Sequence, residues 1–155
     1  MATLELNQFS RQIADALFKR FPDWRQYACV EKNEKEEGGI LYVEIPAPPL
    51  SNLNRPLYIL TANEEVVVGF DSDHNHFEDL IESGGSDSSI REVLDFIVDI
   101  LEERLVAVSW WAGSSLRGAT MIPSGSKPEP SEHIHSFDRV RIRSWKGTYD
   151  RDVST

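Results

Sequence analysis

The stretch from Ser89 to Glu103 constrains this chain more than any other. On a helical wheel Ile90, Val93, Leu94, Ile97, Ile100 and Leu101 fall on one side, while Glu92, Asp95, Asp99, Glu102 and Glu103 fill the opposite arc. Ser89 with Glu92 three residues on forms a capping box, so the spacing predicts a helix over 89–103. Such a helix must bury one face and keep the other in water. The rest of the chain therefore has to supply a surface for it to lie on. The preceding run Glu82-Ser83-Gly84-Gly85-Ser86-Asp87-Ser88 reads as a loop.

Strand-like segments supply that surface. Alternating or β-branched runs predict strands over 27–31, 40–45, 57–61, 65–71, 105–111, 115–122 and 138–145, with a hairpin turn at Ala62-Asn63-Glu64. A first helix over 4–20 is expected from Phe9, Ile13, Ala16 and Leu17, with Thr3 as its cap and Pro22 beyond its end. The expectation is α+β: a mostly antiparallel sheet of about six to seven strands with two helices. The 155 residues suit a single domain over 1–155, and 40% apolar with 10% aromatic residues are enough for one core.

Charge narrows the function classes. The chain has 26 acidic and 16 basic side chains, net −10, and residues 61–103 hold thirteen acids against one base. This acidic pole disfavours direct nucleic-acid or anionic-membrane binding and fits a basic protein partner. No apolar run approaches the ~20 residues of a membrane span, the N-terminus lacks a secretory pattern, and Cys29 is the sole cysteine, so a cytoplasmic location is expected.

Several patterns invite chemistry, each with a plainer reading beside it. The four histidines form two His-x-His pairs, His74/His76 and His133/His135, and Asp71 and Asp73 flank the first, so His74, His76, Asp71 and Asp73 are candidate zinc or iron ligands. A solvated polar loop is the plainer reading. Asp71, Asp73, Asn75, Asp79 and Glu82 match positions of a calcium-binding loop, but His76 stands where its sharp turn needs glycine, and a strand replaces the entering helix. No nucleophile elbow or phosphate-cradling glycine loop is present, and Cys29 sits within a strand. The chain is therefore expected to be no enzyme and to need no cofactor or metal. A small metal-assisted hydrolase or a scaffold protein is the alternative. Arg139, Arg141 and Arg143 line one strand face, able to track phosphates but better read as pairing with carboxylates. Of the adjacent Trp110 and Trp111, one faces the core and the other is a candidate contact.

Glu65-Val66-Val67-Val68-Gly69-Phe70-Asp71, His74-x-His76-Phe77, Val108-Ser109-Trp110-Trp111 and Arg143-Ser144-Trp145-Lys146-Gly147-Thr148 together resemble strings of the form E-V-(T/V)-V-G-F-D, H-x-H-F and S-W-x-G-T. In order and spacing the likeness covers residues 40–148. These strings mark a group of small bacterial proteins associated with immunity to polymorphic toxins and contact-dependent growth inhibition. The resemblance implies a cytoplasmic protein that binds the cognate toxin domain of a secreted or surface-displayed effector, and it brings no catalytic residues. A basic nuclease-type toxin would meet carboxylates where it expects phosphates. The residues expected to bind it are Asp71, Asp73, Asp79, Glu82, Glu92, Asp95, Asp99, Glu102, Glu103 and Trp111.

Overall fold

The structure, a computed structural model, describes residues 5–78, 80 and 87–155. Its elements in order are α1 (Gln8–Arg20), a 3-10 helix (Pro22–Tyr27), β1 (Ala28–Lys32), β2 (Gly39–Ile45), β3 (Leu57–Ala62), β4 (Glu65–Phe70), β5 (Asp73–Phe77), α2 (Asp87–Leu101), β6 (Leu105–Ala112), β7 (Ser115–Pro123), β8 (Arg139–Arg143) and β9 (Arg151–Ser154). The fold is α+β. Its strands form two sheets, one of five in the order β1-β2-β3-β4-β5 and one of four in the order β7-β6-β8-β9. Among the described residues nine strands in two sheets thus replace the six to seven of a single sheet. The extra ones are β5 and β9, which carry few β-branched residues and so give little strand signal.

Contacts sort the chain into two compact units. One runs through Ile45 and adds Leu57–Gly69 and Asn75–Ile97; the other holds Pro46–Pro56, Phe70–His74 and Val98–Thr155. In the first unit the β3–β4 hairpin pairs Ala62 with Glu65. Asn63 and Glu64 both have positive φ, 55° and 58°, as a two-residue turn of the kind matching sheet twist requires. α1 packs on β2 and β3 through Phe9, Ile13 and Leu17, all buried. The Ser10 hydroxyl lies 2.6 Å from Thr61 Oγ1, which also accepts from the Leu41 amide, so two hydroxyls buried under the helix have partners. The helix starts four residues later than predicted. Asn7 caps it by accepting from the Ser10 amide at 2.8 Å, and Leu6 ahead of it bridges to Gly39 in extended conformation. Thr3, the expected cap, lies outside the described residues.

The second unit is built on the β6–β7 hairpin, with Val106, Val108, Trp110, Val140 and Ile142 as core and Ile122, Ile134 and Phe137 packed against it. Burying an aliphatic or aromatic side chain of this size contributes roughly 1.5–3 kcal/mol, so this cluster holds its sheet. The ladder slips between Trp110 and Trp111: Trp110 faces Gly118 and Trp111 faces Leu116, leaving Arg117 as the extra residue of a bulge. In α2 the buried stripe is Val93, Ile97 and Ile100, with Leu94 and Leu101 half-buried. The helix begins at Asp87, two residues before Ser89, and ends at Leu101 rather than Glu103.

Candidate functional site

Glu92 and Asp95 lie three residues apart on α2, both exposed and without a partner among the described residues. A turn further on, Asp99 and Glu102 are already engaged. Arg104 donates from Nε to Asp99 at 2.7 Å and also bonds Glu102, so one guanidinium offsets much of both charges. Nothing in the apolar period signals this pairing, because Arg104 follows the helix instead of lying on it.

Glu103 departs from the predicted stripe. α2 closes with the Arg104 amide donating to Asp99 O at 2.8 Å and the Glu103 amide to Ile100 O at 3.1 Å, a motif whose left-handed position is usually glycine. Here that position is Glu103, with φ 58°. The left-handed turn swings its side chain inward, where it is buried. Its carboxylate accepts from the Lys146 amide, the Thr148 amide and, at 2.6 Å, the Thr148 hydroxyl. Burial alone would raise this carboxyl's pKa. Hydrogen bonds led by the Thr148 hydroxyl, with those from the Thr148 and Lys146 amides, outweigh it and hold the group below its ordinary value.

Asp71 has a similar fate. It too is left-handed, with φ 57°, and buried. Oδ1 accepts from the Asn54 amide at 2.6 Å and faces Arg141 Nη2 at 3.4 Å, while Arg141 and Arg143 both donate to Asn52 O. Arg143, itself buried, donates to Asp152 at 2.7 Å. Arg141 and Arg143 thus hold the 52–54 segment and nearby carboxylates in place, and the reading of this strand as carboxylate-paired describes them. Arg139 instead lies over the Trp111 ring at 5.7 Å. Trp111 is the half-buried member of its pair, its Nε1 donating to Ser109, and Trp110 is in the core. Neither Asp71 nor Glu103 offers a carboxylate to a partner. Both leave the predicted binding surface because each satisfies buried donors instead. Asp79 and Glu82 lie outside the described residues.

The resembling strings carry structural duties here. A side chain at Gly69 would meet the Tyr58 ring at 1.8 Å, Asp71 holds the segment at Asn54, and Ser144–Thr148 wraps the Glu103 carboxylate. Ser144 also receives the Tyr149 amide on its hydroxyl and donates its own amide to Asp150.

Among the described residues the metal patterns do not assemble. Asp73–Phe77 is strand rather than a calcium loop, which puts His74 and His76 on its exposed face. His76 Nδ1 is 2.7 Å from Glu65. Burial raises the Asp73 carboxyl, against the lowering effect of His74. Among the described residues no three His, Cys, Asp or Glu side chains converge as a metal site. Cys29 is exposed on β1, and burial followed by the charges of Glu31 and Glu44 raises its thiol, which makes it a poor nucleophile. No described helix is long and apolar enough to cross a membrane. No protein-family model, curated protein or solved structure matches this chain.

Proposed function

We propose that this chain is a cytoplasmic immunity-type protein that blocks a basic toxin domain by binding it, with no chemical step of its own. The observation that supports this most is the pair Glu92 and Asp95, exposed on α2 with their charges unspent on any described neighbour. Carboxylates without internal partners in a chain of net charge −10 speed encounter with a basic surface and favour it over acidic competitors. Trp111, half-buried under Arg139, is a separate candidate aromatic contact in this reading.

The test pairs the protein with the toxin domain encoded beside it. Co-expression should restore growth, and the two should co-purify with the toxin's mass unchanged. Glu92→Lys/Asp95→Lys should lower the association rate at least tenfold and flatten its dependence on salt, because steering charge is screened over ~8 Å at physiological ionic strength. Rescue without a complex, or a toxin of altered mass, overturns the reading.

A further inference from the structure

Leu116 and Arg117 of β7 and His133, His135 and Ser136 of the loop after it line one open pocket of about 400 Å³. Two devices build it. Arg117 is the extra residue of the β6–β7 bulge, and a bulge re-aims the side chain it carries. Ile134 packs against the core of its sheet and lies over Gly118, where a Cβ would come within 2.5 Å of Ile134 Cδ1. Anchoring Ile134 beside Gly118 fixes the histidine on either side of it next to Arg117. The loop's placement therefore depends on a glycine adjacent to the arginine.

The lining has a single electrostatic character. It holds one guanidinium, two imidazoles and one hydroxyl, with no carboxylate among its described residues. The side chains of Arg117, His133 and His135 have no hydrogen-bond or ion-pair partner among the described residues. A metal cation entering here would meet a guanidinium that cannot lose its proton, which disfavours the two histidines as a metal pair. An anion would meet donors from Arg117, His133, His135 and Ser136. A carboxylate's two coplanar oxygens would occupy little more than the arginine fork, whereas a tetrahedral phosphate can take the fork on two oxygens and imidazole N–H groups on a third.

We propose that this pocket binds a phosphate group, with Arg117 as the bidentate donor and His133, His135 and Ser136 completing its shell. The pocket is several times larger than one phosphate group, which takes up a few times the ~30 Å³ of a water, and the exposed Leu116 offers an apolar neighbour. A phosphomonoester fills this space better than the free ion.

Titration of the isotope-labelled full chain with inorganic phosphate, phenyl phosphate and acetate, followed by NMR at the Arg117 Nε and the histidine rings, tests this. Phosphate should give saturable shifts at all three side chains with a dissociation constant on the order of 1 mM, as suits an open site. Phenyl phosphate binding more tightly assigns the pocket to a monoester, and equal binding assigns it to free phosphate. Arg117→Gln, and separately His133→Gln/His135→Gln, should each weaken binding about tenfold while the backbone amide spectrum stays that of the folded chain. Absence of saturable shifts, shifts that persist in Arg117→Gln, acetate binding as well as phosphate, or stoichiometric zinc on the histidines in place of phosphate each overturns the proposal.

Discussion

Glu92 and Asp95 stand on the outer face of α2 with no described partner, whereas Glu103, just past the end of the same helix, is buried and accepts three hydrogen bonds. Asp71 sides with Glu103, its Oδ1 committed to Asn54 and Arg141. All four belong to the acidic third of the sequence. What separates them is burial: Asp71 and Glu103, both at positive φ, turn their carboxylates onto nearby donors, whereas Glu64, also at positive φ in the β3–β4 turn, stays exposed, so the donors decide and not the φ alone. A non-glycine residue there costs about 1 kcal/mol or more, which the hydrogen bonds accepted by Asp71 and Glu103 offset. Acidic residues that look alike in a charge count thus divide into those that build the fold and those whose charge stays in solvent.

The largest expected effect breaks this comparison at Glu103. Glu103→Ala strands three donors and should lower unfolding stability by about 3 kcal/mol, read from urea or thermal melts. Glu103→Gly loses the same acceptors but relieves the left-handed strain, and should be the more stable of the two by about 1 kcal/mol. If alanine equals glycine, the positive φ carries no cost and the explanation of the inward turn fails.

A smaller effect comes with acid. The Glu103 carboxyl titrates lower in the folded chain than in the unfolded one. The stability it contributes is complete above the ordinary glutamate value of about 4.3 and is lost as pH falls through its folded value. Asp152, held low chiefly by its hydrogen bond from Arg143, adds to the loss, while Asp73, raised by burial, opposes it. Urea midpoints below about pH 4.5 should therefore fall less steeply for Glu103→Gln than for the unsubstituted chain, with the two curves converging in acid. Parallel curves would assign the acid sensitivity to other groups.

The smallest effect belongs to the other side of the comparison. Glu92→Gln and Asp95→Asn should each change stability by less than about 0.5 kcal/mol. A larger loss in either would mean that the residue has structural work to do and is not free for a partner.

Much of this architecture is legible in the sequence because its period is set by burial. The apolar stripe of α2 and the runs Leu57–Thr61 and Val66–Phe70 read directly as helix and strands. Two of the outermost strands read poorly. β5 is Asp-His-Asn-His-Phe, and β9 has Val153 as its lone β-branched residue, so neither presents an apolar period. The division into two sheets was likewise hidden, since a strand's pattern records which faces are buried and not which ladder it joins. At the candidate site, the charges of Glu92 and Asp95 are plain in the sequence. The withdrawal of Asp71 and Glu103 is not, because both depend on a local backbone turn and on donors brought from distant segments. Arg117 gives no signal in the sequence for the same reason: it shares a pocket with His133 and His135 only through the bulge and the Ile134 anchor.

The outer strands have a consequence for how the chain behaves in a crowded solution. β1 bounds the five-stranded sheet with Glu31 and Lys32, β5 bounds its other side with Asp73, His74 and His76, and β9 closes the four-stranded sheet with Arg151 and Asp152. Each is at most five residues long and carries ionisable side chains, features that discourage a second chain from adding a strand to an open ladder. β7 is different: nine residues long, with Arg117 its one charge, it is the rim along which self-association and fibril growth would begin once the loop anchored by Ile134 was displaced.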